Sequence, residues 1–278
     1  MNDHTHIYEP HKQLKLGMKI WAEMFRELFQ FRELIWRLFI RDLSAKYKQS
    51  VLGNLWSLVM PFVAIGTFMY LNHAGILDIG QTQMPYPLYA LIGLSVWQVF
   101  ATGLSSGANS LVGAGDLITK ISFPREVLVI ASMAQSVFEF LIKFVLIIVF
   151  FLVFQFSPSW NIVFLPLVLV PLVFLTVGLA LILALLNGVM RDIGNIVSLL
   201  LMFLMFLTPV LYPIPGKGLL FFELNFLSPL VNAPRDLIAF GHIQQPGHFM
   251  MAAGISLLIF LVSWRIFHLA ETKIPERM

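Results

Sequence analysis

The chain has 278 residues; 58% are hydrophobic, only 12% are charged, and none is cysteine. Soluble domains carry about 25% charged residues, so a water-facing surface of this size could not be covered, and disorder is excluded because disordered chains are poor in apolar residues. Disulfides, thiolate metal sites and a cysteine nucleophile are excluded as well, which leaves an all-α polytopic membrane protein, in keeping with a mean hydropathy of +0.83.

Residues 1–13 are polar and contain His4, His6 and His11. They lack the short apolar core and cleavage site of a signal peptide and read as a cytosolic tail. Residues 14–50 form a second region. Trp21, Met24, Phe25, Leu28, Phe31, Ile35, Leu38 and Phe39 recur there at helical spacing, with Lys19, Glu23, Arg26, Glu27, Arg37 and Arg41 between them. This predicts an amphipathic helix, too charged to cross a bilayer, lying at the membrane–water interface or against another subunit.

Residues 51–278 form the transmembrane domain. A crossing helix needs about 20 largely apolar residues, and the pattern predicts six, at 51–74, 88–112, 127–156, 162–190, 196–211 and 249–269. Tyr212–His248 is apolar but broken by Pro213, Pro215, Pro229, Pro234 and Pro246. Irregular backbone at membrane depth survives only against protein or a wet cavity. The segment therefore reads as a re-entrant pair of short helices in the outer leaflet, or as an ordered external loop.

Of the 18 lysines and arginines, fifteen fall on one side of these six spans, and only Lys217 and Arg235 fall on the other. Lys143 lies within the third span. The basic side is the cytosolic side, so both termini are expected in the cytosol.

Chemistry-bearing patterns are few. Pro215-Gly216-Lys217-Gly218 lacks the upstream glycine and the following Ser/Thr of a phosphate-cradling loop. No His-Glu-x-x-His pair or carboxylate cluster with metal spacing occurs. No catalytic residue, metal or cofactor is expected on this chain, and energised work would draw its fuel from another one. Glu139 and Lys143 stand four apart on one helix face. Alone near the bilayer centre, each charge would cost roughly 2.5–3.5 kcal/mol. They read as an intramembrane ion pair, either structural or in contact with a substrate. Arg41, Lys46 and Lys48 just precede the first span. They read as topology and lipid electrostatics, or as capture of a diphosphate head group, since several cationic donors suit a phosphate. Tyr70, Trp97, Phe100, Phe206 and Tyr212 fit either an interfacial aromatic belt or a surface on which sugar rings stack. Gly103 and Gly107 form a G-x-x-x-G that permits close helix approach.

The stretch Arg41-Asp42-Leu43-Ser44-Ala45-Lys46-Tyr47-Lys48-Gln49-Ser50-Val51-Leu52-Gly53-Asn54-Leu55-Trp56, with Pro61 beyond it, resembles the opening of the polysaccharide-exporting ABC-2 permeases. Four further matches follow in order: Phe123-Pro124-Arg125-Glu126, Asn187 with Arg191-Asp192, Thr208-Pro209-Val210, and Leu227-Ser228-Pro229-Leu230 with Arg235. The family more often has Asn before that last Pro, and Arg where Lys46 stands.

The resemblance implies half of a homodimeric channel in the bacterial inner membrane, with two copies of a separate ATPase subunit docked beneath it. ATP and Mg would belong to that partner. The N-terminal amphipathic helix would be an interface or gate helix, and Tyr212–His248 would supply external gate helices. The loop around Leu111–Ser122, with Gly115, Asp116 and Lys120, would couple to the ATPase. The implied cargo is an undecaprenyl-diphosphate-linked polysaccharide, O-antigen first, with capsule or teichoic acid as alternatives; membrane lipids are partners and nucleic acid is not. A secondary transporter or channel would need an intramembrane relay or selectivity ring, which one Glu/Lys pair serves poorly. A membrane-embedded transferase would need an acid–base cluster, and none is present.

Overall fold

The computed structural model describes residues 19–47, 56–76, 80, 82–213 and 225–270. Among the described residues every regular element is a helix. The predicted N-terminal helix is two helices, α1 (Lys19–Gln30) and α2 (Arg32–Tyr47). They meet at Phe31, whose N–H still donates to Glu27 O at 3.1 Å, while its carbonyl accepts from Ile35 N at 3.0 Å. The reason for the break lies in packing. The apolar face of α1 turns toward Trp264, near the end of the chain, whereas Phe39 of α2 meets Phe138.

Then follow α3 (Trp56–His73), α4 (Tyr86–Gly113), α5 (Gly115–Lys120) and α6 (Glu126–Val153). A 3₁₀ turn, Trp160–Phe164, leads into α7 (Leu165–Val189), and α8 (Ile193–Leu207), α9 (Leu227–Phe240) and α10 (Pro246–Ala270) complete the chain. Four of these segments are long and apolar enough to cross a membrane: Tyr86–Gly113, Glu126–Val153, Trp160–Val189 and Pro246–Ala270. α8 has 15 residues, a length of about 22 Å at about 1.5 Å per residue, short of a hydrocarbon core about 30 Å thick. α3 begins at the edge of the described residues; the start of the predicted 51–74 span, the 1–13 tail, residues 214–224 and residues 271–278 lie outside them.

Several hydroxyls inside these helices bond back to the carbonyl one turn before. Ser95 Oγ donates to Leu91 O at 2.7 Å, Thr176 Oγ1 to Leu172 O at 2.7 Å and Ser256 Oγ to Ala252 O at 2.7 Å.

α4 is the axis of the bundle. Leu88, Leu91, Val96, Phe100 and Leu111 are all buried along it, and α6 and α7 pack on it from two sides, with α10 against α7 and α2 along α6. The glycine pair makes this possible. A Cβ on Gly103 would stand 2.7 Å from Met133 Sδ of α6 and 2.9 Å from Thr176 Cγ2 of α7, and one on Gly107 would stand 2.6 Å from Ala180 Cβ. The outward faces remain apolar, with Leu141, Val145, Ile148 and Leu152 of α6 and Leu257, Leu258 and Val262 of α10 exposed. Such a surface suits lipid, not water.

Candidate functional site

Polar side chains gather in four places, two at the α5 end of the bundle, one at the α9 end and one on the seam between α2 and α6.

At the α5 end, the first turn of α6 meets the last turn of α10. Glu126 is buried, and its Oε1 accepts from Trp264 Nε1 at 3.2 Å and pairs with His268 Nδ1 at 2.9 Å. α1 closes over this pair, with Trp21 and Phe25 edge-on to Trp264 at centroid distances of 5.9 and 4.7 Å. Glu27 of α1 faces the same spot, and its Oε2 is buried with no hydrogen-bond partner among the described residues. Burial pushes the Glu27 carboxyl above its ordinary range; His268 works against this, and Glu126 and Glu23 add to it. Nearby, Asn187 staples the α7–α8 turn to the end of α4. Its Nδ2 donates to Ala108 O and Asn109 Oδ1, both at 3.0 Å, and its Oδ1 accepts from Gly194 N at 3.1 Å.

The six residues of α5 project from this end. None is buried, and the candidate coupling residues Asp116 and Lys120 are exposed while Gly115 is half-buried. A Cβ on Gly115 would meet nothing within 4 Å. Leu117 and Ile118 are half-buried against the core, and the polar residues of α5 are left facing outward.

At the α9 end, Arg235 is buried and ties three elements together. Its Nη1 donates to Pro209 O at 2.6 Å, Tyr89 Oη at 3.0 Å and Asn232 Oδ1 at 3.1 Å, and its Nη2 donates to Val210 O. The guanidinium lies 4.0 Å above the Tyr89 ring. α8 ends at Leu207, so the carbonyls of Pro209 and Val210 beyond it have no helical partner and need a donor, and Arg235 satisfies both. Gly93 makes room, since a Cβ there would overlap the guanidinium and Val210 O. Asn225 ties the segment further, donating to Leu207 O at 2.9 Å and Thr208 Oγ1 at 3.0 Å while accepting from Leu227 N at 3.0 Å.

On the α2–α6 seam, Glu139 of the expected Glu139–Lys143 pair meets a cation from another helix. Glu139 Oε1 is 2.5 Å from Lys46 Nζ. The reason is tertiary: α2 lies along α6 and brings a lysine across to the buried carboxylate. Lys143 is buried one turn further on. Arg41 pairs with its neighbour Asp42 at 2.8 Å on the surface, and Lys48 lies outside the described residues. Two of the three candidate head-group residues thus share one helix, and one of them is committed to the candidate ion pair.

The candidate aromatics divide. Trp97 and Phe100 are 4% and 1% exposed, with ring centroids 5.5 Å apart. They fill the core of α4 and line no surface of this chain. Tyr70 and Phe206 are exposed at 71% and 54%, and Tyr212 Oη donates to Phe206 O. Reading from the sequence missed the Glu126–His268 pair, because the partners are 142 residues apart. It also counted Arg235 for its charge and did not foresee its burial. The prolines around Arg235 were the available signal, since a broken helix frees carbonyls that need a donor.

The class of protein is a polytopic membrane protein: apolar helices, four of them long enough to cross a membrane, pack on a glycine-lined axis with polar ties toward both ends. Residues 30–238 match the ABC-2 type transporter family, and the chain belongs to that family. It is similar to the O-antigen export system permease protein RfbA of Myxococcus xanthus, 28% identical over 259 residues that cover 91% of this chain and 98% of the relative. It is also similar to a protein of the same name from Klebsiella pneumoniae, 31% identical over 241 residues covering 85% and 91% of the two chains.

Proposed function

We propose that this chain is the channel-forming subunit of an exporter that moves O-antigen polysaccharide, carried on undecaprenyl diphosphate, across the bacterial inner membrane. The observation that carries this reading is likeness to O-antigen export permeases over nearly the whole length, 91% of this chain and 98% of the first relative. The absence of a phosphate-cradling loop from the sequence supports a separate ATPase as the source of energy. α3 and α8 complete six crossings with the four longer helices, both termini are cytosolic, and two copies of the chain enclose the path.

Each polar site takes a role in this reading. α5, with Gly115, Asp116 and Lys120, receives the motion of the ATPase. Arg41, Lys46 and Lys48 face the diphosphate at the inner leaflet. Tyr70, Phe206 and Tyr212 contribute to a wall on which sugar rings slide, since aromatic faces stack without gripping by charge. Trp97 and Phe100 support that wall from the core of α4.

The test is genetic and biochemical. Deletion should abolish surface polysaccharide and leave lipid-linked glycan inside, and the wild-type chain should restore export. The purified chain alone should hydrolyse no ATP; intrinsic turnover would sink the reading.

A further inference from the structure

Two lysines compete for one carboxylate on the α2–α6 seam. Lys46 reaches Glu139 from another helix, and its side chain is 43% exposed against 7% for Glu139. Lys143, four residues along α6, is 1% exposed. The Glu139 carboxylate one turn before it is taken by Lys46. A buried ammonium is costly unless a counter-charge stands close to it. Glutamate four residues ahead of lysine is the favourable order for a pair on one helix. Glu139 thus has one potential partner fixed on its own helix and one borrowed from α2.

From this geometry we infer that Lys143 is a stand-by counter-ion for Glu139, taking it over when an anion draws Lys46 away. Removing one partner of a buried pair strands the other charge, so Lys46 can leave cheaply only if Glu139 has somewhere to turn. The anion that suits Lys46 is a phosphate group presented at membrane depth, compact and multiply charged, on the carrier lipid or on an anionic phospholipid. Lys143 does not touch it and acts as a positioning residue. The exchange detaches the end of α2 from α6, leaving Phe39 on Phe138, 5.8 Å apart, as a remaining contact between them. This inference rests on the reading of Arg41 and Lys46 as phosphate-facing, and adds what releases Lys46.

The experiment measures binding of undecaprenyl diphosphate to the full chain in phosphatidylcholine nanodiscs, by native mass spectrometry. Lys143→Met should weaken binding about tenfold, one pairing's worth of competition, and Glu139→Gln should tighten it. The double variant should match Glu139→Gln, because without the glutamate there is nothing for Lys143 to receive. If Lys143→Met weakens binding as much when combined with Glu139→Gln, Lys143 acts on the ligand directly and the exchange is overturned. Unchanged binding in both single variants also overturns it. Should Lys143→Met fail to insert, Lys143→Gln takes its place under the same expectations, and Lys143→Arg should bind like the wild type. Parallel titrations with phosphatidylglycerol and inorganic diphosphate locate the phosphate. The same ordering with the carrier alone assigns the exchange to cargo; the same ordering with phosphatidylglycerol assigns it to bulk lipid. Loss of export in Arg41→Ala/Lys46→Ala beside an inert Lys143→Met overturns the exchange alone. Normal export in Arg41→Ala/Lys46→Ala overturns the reading beneath it.

Discussion

Arg235 and Gly93 illustrate how one residue's shape dictates another's identity. The guanidinium occupies the space a side chain at position 93 would need, and in return satisfies the carbonyls of Pro209 and Val210 beyond the end of α8. Gly93→Ala should therefore lower the thermal stability of the detergent-purified protein, with a cost of about 1–3 kcal/mol for overpacking. Gly66→Ala, where a Cβ would meet nothing within 4 Å, should leave it unchanged or raised, as alanine is the better helix former. Arg235→Lys should be destabilising despite keeping the charge, since an ammonium cannot span the same fork of acceptors. Glu27 gives a pH dependence. A carboxyl whose value is raised on docking favours the docked state at low pH, and that gain fades as pH climbs through the raised value. The groups facing it are Glu23 on its own helix, Glu126 on α6 and His268 on α10. Amide exchange across α1, corrected for the intrinsic rate, should slow as pH falls from 8 toward 5. Glu27→Gln should flatten that profile and protect α1 at pH 8. At this scale the sequence was legible wherever the partner was local. Glu139 was recognisable as a buried charge in need of a cation, but the choice of Lys46 over Lys143 depends on where α2 lies, and no spacing records that.

Among the elements, the long apolar helices were readable because a bilayer imposes their length and composition. Predicted 88–112 and 249–269 became Tyr86–Gly113 and Pro246–Ala270. The kink at Phe31 was not readable. Residues 19–47 carry neither proline nor glycine, so no local signal marks the break; α1 and α2 pack on different neighbours, Trp264 and Phe138. α5 contributes no buried residue, and its position at one end of the bundle suits a surface offered to another subunit. A cysteine at Asp116 or Lys120 should crosslink to the ATPase when the two are co-expressed. Labelling of that cysteine by an impermeant reagent applied to intact cells would contradict the assignment. Substituting both residues by alanine should leave the amount of membrane-inserted protein unchanged while lowering export.

At the scale of the molecule, the core is one continuous packing around α4, with small residues at its closest contacts and apolar side chains facing outward. Polar ties sit toward the ends, where Asn187, Glu126 and Arg235 each join segments distant in the chain. One of these ties bears on how the protein is made. α1 leaves the ribosome more than 200 residues ahead of its docking surface, Trp264 and His268. At synthesis rates of about 5–20 residues per second, the newborn helix must wait on the lipid surface for roughly ten seconds or more. Throughout that interval Trp21 and Phe25 can find shelter only in the head-group region, so the amphipathic face that later grips a neighbouring helix must first serve as a temporary anchor. A nascent chain stalled before Pro246 should expose α1 to added protease, and release of the stall should close it.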